Sequence, residues 1–140
     1  GAKGCDPEER EPAEVAQVNL QQPIDLARER RGIVHVYLLG DLSQSCKRKA
    51  LIHDAAGGRL QISALQKEKP DLLICGELNE WETSEYVRDL RSMGSKTSLL
   101  VLGHIVSEEP GLEWLVKWLQ PQAPEIKIIH IPSADAFSWG

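Results

Sequence analysis

The stretch LLVLGHIVSEEPGLEWLVKWL, Leu99 to Leu119, constrains the fold more than any other, because its periodicity changes from strand to helix across a single glycine. Leu99 to Leu102 is wholly apolar, as a strand buried on both faces of a parallel sheet requires, and Gly103 ends it. Ser107 then reads as an N-cap, Glu108 and Glu109 complement the positive helix end, and Pro110 suits a first turn where its missing N–H bonds nothing. Leu112, Leu115, Val116 and Leu119 follow at helical spacing and predict one core-facing stripe. A βα unit of this kind sets His104 in the crevice beyond the carboxyl ends of the strands, where open α/β sheets bind ligands.

Similar units precede it. Val15, Val18 and Leu20 read as a short extended segment before Pro23, which opens a helix through Arg31 that Gly32 stops. Ile33 to Leu39 has strand character, and a polar turn from Ser43 to Arg48 leads to a second strand, Lys49 to His53. Ala55, Ala56, Gly57 and Gly58 turn into a helix from Arg59 to Lys69 that Pro70 terminates. Leu72 to Cys75 is a third strand; Asn79 to Met93 is a helix with Val87 and Leu90 inward and Gly94 as its stop. After the opening unit, Pro121 and Pro124 bracket a turn, Glu125 to Ile131 reads as a further strand, and a tail through Phe137 and Trp139 packs back. The prediction is an α/β fold, a mainly parallel sheet of about five strands covered by helices. Residues 1–22 read as an N-terminal arm, partly disordered, and 23–140 as one domain.

Composition narrows the function classes. At 140 residues, 41% hydrophobic and 26% charged, the chain is one soluble domain's worth. A net charge of -5 and no basic stripe argue against nucleic acid; Lys47, Arg48 and Lys49 form the one tight basic cluster, a polar lead into a strand. No apolar run reaches membrane-spanning length and the first residues lack signal-peptide features, which points to the cytoplasm. Cys5, Cys46 and Cys75 contain no C-x-x-C pair, so neither a disulfide framework nor a zinc ribbon is expected. Cys75 reads as an inert core thiol, and Cys46, among serines, as a turn residue open to exposure.

Three strands close alike: Gly40 then Asp41, Gly76 then Glu77, Gly103 then His104. If those strands are parallel, an acid, an acid and an imidazole crowd one edge of the sheet. Glycine followed by a polar residue is also ordinary strand-exit chemistry. His104 and Glu108 together suit a divalent cation, although a secure site takes three or four protein ligands, and the same pair suits a loop histidine beside a helix-end charge. The Gly57-Gly58 turn offers amides to an anion at a helix N-terminus, or simply close packing. His53 and Asp54 are adjacent on an extended segment and point apart, so they read as an exposed or capping pair. Trp114 and Trp118, one helical turn apart, are either core or an apolar contact for another subunit.

The series Asp71-Leu-Leu-Ile-Cys-Gly-Glu77, then Gly103-His104-Ile-Val-Ser107-Glu108, then a Leu-rich helix, a Pro turn and an Ile-rich segment resembles the C-terminal half of the Nif-three-like dinuclear metal-centre family. Those proteins are also described as homologues of a type 2 GTP cyclohydrolase. The resemblance runs from about Ile33 to Trp139, and G-H-x-x-S-E is its most specific part. It implies an α/β fold, a homo-oligomeric ring built from dimers, and two metal ions held by His and carboxylate ligands. By it His104 and Glu108 are metal ligands and Glu77 lies near the site. The family's other ligands, a His pair and an Asp, have no counterpart here, and Trp81 or a neighbouring acid stands where a His commonly follows the G-E element. Another copy or polypeptide completes the centre, or Glu77 and Asp41 substitute, or the site is vestigial.

Two functions fit. One is a divalent-metal-dependent hydrolase, of cyclohydrolase or phosphoester type, with zinc, manganese, iron or cobalt at His104 and Glu108, Glu77 handling protons, and a small-molecule substrate. The other is a non-catalytic binding or assembly module that uses Trp114 and Trp118.

Overall fold

The structure, a computed structural model, describes residues 18–31 and 35–133. In chain order its elements are β1 (Val18–Asn19), α1 (Gln21–Arg31), β2 (Tyr37–Leu39), β3 (Ser45–Cys46), β4 (Lys49–Ile52), α2 (Gly58–Glu68), β5 (Leu72–Cys75), a π-helical turn (Glu80–Ser84), α3 (Glu85–Ser92), β6 (Ser98–Val101), α4 (His104–Leu119) and a 3-10 turn (Gln120–Gln122). Of the expected arm, residues 1–17 lie outside the described residues, as do the stop at Gly32 and the tail through Phe137 and Trp139, while residues 18–22 form β1 and the start of α1.

The main sheet runs β2-β6-β5-β4, with β4, β5 and β6 parallel and β2 antiparallel to β6. β5 and β6 are central and covered on both faces, which is why LLIC and SLLV show no alternation. On one face Leu73, Cys75, Leu99 and Val101 pack with Leu65 of α2 and Val87 of α3. Both crossover helices therefore lie on the same side, as successive crossovers of one hand require. On the other face Leu72 and Leu100 pack with Ile24 of α1, Leu20 and Cys46. Cys46 is thus buried, not exposed in its turn, because β3 pairs with β1 and folds the thiol under α1.

Three further expectations are corrected. First, β2 runs against its neighbour, with Leu39 opposite Leu99 and Tyr37 opposite Val101, so Gly40 and Asp41 leave the sheet at the end remote from Gly103. Gly40 is needed there for another reason: a Cβ would stand 2.4 Å from the Ser98 hydroxyl.

Second, α4 begins at His104 and not after Ser107; Gly103, at φ 105, makes the turn directly. Pro110 accordingly lies within the helix, and no acid falls in its first turn. No residue of α4 is buried: Leu112 and Leu115 are 46% and 40% exposed, and Trp114 and Trp118 61% and 50%. The stripe read as core-facing has no sheet to face, because among the described residues α4 packs chiefly on the turn that follows it.

Third, Glu125 to Ile131 is not a strand. Gln120 takes up its backbone groups instead, its Nε2 donating to the Ile126 carbonyl at 2.8 Å and its Oε1 accepting from the Ile128 N–H at 3.1 Å. Ile126, Ile129 and Ile131 remain exposed.

Candidate metal centre

The parallel strands β4, β5 and β6 deliver their exits side by side. Beyond the last paired residues the ladder continues: the Gly76 N–H donates to the Ile52 carbonyl at 3.3 Å, Leu102 to Cys75 at 3.0 Å and Gly103 to Gly76 at 2.9 Å. Asp54, Glu77 and His104 are the polar residues these exits present.

Ser107 clamps them. Its hydroxyl accepts from the Asp54 N–H at 3.1 Å and donates to the His104 carbonyl at 2.7 Å. Gly76 leaves the space: a Cβ there would stand 2.4 Å from that hydroxyl and 2.8 Å from the Asp54 nitrogen. Asp54 itself sits at φ 66, a left-handed conformation that short polar side chains tolerate through local hydrogen bonds, and its carboxylate accepts from the Ala55 N–H.

His104 stands at the centre. Its Nδ1 is 3.1 Å from Glu77 Oε2, and its Nε2 is 3.4 Å from Asp54 Oδ1 and 3.3 Å from Glu108 Oε2. Glu108 reaches the imidazole because residues four apart on a helix stack on one face, and α4 already includes His104. The hydrogen bond the ring makes is the one from Nδ1 to Glu77, a carboxylate that can only accept; in the tautomer that makes it, the Nε2 lone pair faces Asp54 and Glu108. Three electron-pair donors then converge, their ligand atoms all within 4.8 Å of one another. That arrangement calls for a positive charge between them.

The titration of the site expresses the same demand. Partial desolvation pulls the His104 pKa down, but the hydrogen bond to Glu77 and the charges of Glu108, Glu77 and Asp54 outweigh it and leave the imidazole raised. Asp54 is lowered, first by the Ala55 N–H, then by its contact with Glu108 and by the charges of His104 and His53, against some desolvation.

Of the residues singled out from sequence, Glu77, His104 and Glu108 meet here and Asp41 does not. Asp54 was missed. Its signal was the strand Lys49–Ile52 followed by a polar exit and Gly57-Gly58, but only the strand directions say which three exits are neighbours. His53 is exposed, as its alternation with Asp54 requires. The Gly57-Gly58 turn is not an open anion cradle, since the Glu82 carboxylate lies where a Gly58 Cβ would be.

The donor set fits a cation. One imidazole nitrogen and two carboxylate oxygens suit a borderline or hard divalent ion, and ligands about 2.0–2.2 Å from a shared ion stand roughly 3–3.5 Å apart, the spacing found around Nε2. Glu77 on Nδ1 adds the outer carboxylate that orients a metal-binding histidine.

No family model matches the sequence, and no curated protein matches it. Two solved structures of the Staphylococcus aureus protein SA1388 match with TM-scores of 0.62 and 0.61 at 21% and 20% identity; they cover 90% of this chain and 40% and 35% of theirs. A Bacillus cereus protein related to NIF3 matches with a TM-score of 0.58 at 15% identity, over 89% of this chain and 33% of its own. The chain thus spans well under half the length of the structures it matches. At such identities the likeness is one of fold, and the mixed α/β fold of this chain is that of its NIF3-like neighbours.

Proposed function

We propose that the carboxyl end of the sheet binds a divalent cation through His104 Nε2, Glu108 and Asp54, in a metal-dependent hydrolase of cyclohydrolase or phosphoester type acting on a small molecule. The observation that carries this reading is the convergence of three electron-pair donors, from Asp54, His104 and Glu108, with their ligand atoms all within 4.8 Å of one another. A bound zinc, manganese, iron or cobalt ion would supply an acidified water there. Asp54 and Glu108 neutralise the ion and fix its place, while the protein leaves the outer side of the cluster to solvent, since all three side chains are near half-exposed. Glu77 is the carboxylate we assign to proton handling, being half-exposed and already bonded to the ring.

Metal analysis of the purified protein tests the reading. Stoichiometric metal, lost in His104→Ala, is expected; a wild-type protein that neither carries metal nor binds added cobalt(II) overturns it. The fold neighbours are more than twice as long as this chain, so ligands from another copy or polypeptide belong to the same proposal.

A second reading rests on its own observation. Helix α4 buries none of its residues, and Trp114 and Trp118 stack in the open with ring centroids 6.4 Å apart. Exposed stacked indoles are what a homo-oligomeric contact would cover. On that reading Trp114→Ala with Trp118→Ala lowers the mass measured by light scattering and leaves metal content unchanged.

A further inference from the structure

Gln61 of α2 and Thr83 of the π-helical turn are fully buried polar side chains in an otherwise apolar layer. Burying an amide and a hydroxyl costs stability unless both are bonded, and here they bond each other. The Gln61 Nε2 donates to the Glu77 carbonyl at 2.8 Å, and the Thr83 hydroxyl donates to Gln61 Oε1 at 2.6 Å. The orientation of the amide is therefore settled by its partners: turned over, it would oppose one carbonyl to another and leave the hydroxyl facing an N–H pair. Thr83 reaches this position from a π-helical turn, a widened backbone that recurs at functional sites. The chain of bonds runs from the core to the backbone of the one residue whose carboxylate holds His104 Nδ1.

We infer that Gln61 and Thr83 are positioning residues for the centre: they hold the Glu77 loop so that its carboxylate keeps the proton of His104 on Nδ1 and offers Nε2 to the cation. The inference rests on the cation site proposed above. Neither residue touches that site, and a hydrophobic pair of the same volume would fill the core without setting the loop.

The test is a double-mutant cycle read by titrating cobalt(II) alone into the full chain. Thr83→Val keeps the shape and removes the donor; it is expected to weaken binding about tenfold, the lower end of what loss of an outer-shell partner costs. In a Glu77→Ala background, where nothing remains to be positioned, the same substitution is expected to change binding by less than about twofold. Thr83→Ser, which restores the hydroxyl, recovers the affinity. Should Thr83→Val not fold, Thr83→Ala against Thr83→Ser makes the same comparison. A folded Thr83→Val that binds as wild type does, or equal losses in both backgrounds, overturns the inference. Where the wild type binds no cobalt(II), the cation reading is what has failed, and the positioning is read from imidazole 15N shifts: a His104 ring protonated on Nδ1 in the wild type and on both nitrogens in exchange in Thr83→Val supports it, and the same ring in both overturns it.

Discussion

The two ends of the sheet are built from the same materials and differ in one respect. At the end where β2 leaves and β6 begins, Arg91 of α3 is the local cation: its Nη1 donates to the Thr97 carbonyl at 3.0 Å, the Ser98 hydroxyl at 3.3 Å, and Gln44 Oε1 and the Lys96 carbonyl at 3.4 Å. Asp41 stands in reach of that charge and takes the Ser43 hydroxyl at 2.7 Å and the Ser43 N–H at 2.9 Å. At the other end Asp54 and Glu108 flank His104 Nε2 at 3.4 and 3.3 Å, and their charges help to raise the imidazole pKa. The first cluster is closed on itself by Arg91; the second is the one whose donor set fits a cation.

The largest effects should separate the ends completely. Asp54→Ala is expected to abolish stoichiometric metal and Asp41→Ala to leave it intact, both read by elemental analysis. Glycines offer a finer contrast, since a Cβ at Gly76 or at Gly40 meets a serine hydroxyl at the same 2.4 Å. Each alanine substitution is expected to cost about 1–3 kcal/mol of overpacking in a urea titration, and only Gly76→Ala should also weaken cobalt(II) binding. Arg91→Ala leaves the fully buried Ser98 and its neighbours short of a donor, at about 1–3 kcal/mol of stability with metal content unchanged.

Acidity should act on His104 and on Asp41 in opposite senses. His104 is raised, so its contribution to the metal-free protein is complete below the ordinary imidazole pKa and is lost as pH rises through the raised value. Asp41 is lowered, by the Ser43 hydroxyl first, the Ser43 N–H next and the Arg91 charge, so its contribution is present above the ordinary carboxylate pKa and is lost as pH falls through the lowered value. Denaturation midpoints of His104→Ala and Asp41→Ala against the wild type, measured across pH without metal, are expected to show those opposite slopes. Added metal reverses the first, because a metal-binding imidazole must give up its proton.

The smallest contrast is a sameness. Burial pushes the Cys75 thiol up to about 12, and burial foremost, with the Asp71 charge, raises Cys46. In a Cys5→Ser variant neither thiol is expected to react with Ellman's reagent at pH 8 until the protein is unfolded; a fast native reaction at either would mean that its end of the sheet opens.

His104, Glu77 and Glu108 could be singled out from residue type and spacing, because a strand exit and the start of the next helix are local; that the helix begins at His104 and so stacks Glu108 on the ring by an i, i+4 relation came from the structure. The alternation of β and α segments likewise announced the layered fold, since apolar runs and helical stripes are properties of neighbouring residues. Asp54 in place of Asp41 was settled by the direction of β2, and strand direction depends on pairing between segments far apart in the chain, which no short-range pattern encodes. The bare face of α4 is the same kind of fact. Its apolar stripe says that something must cover it, but only the positions of all the other elements say that the sheet does not.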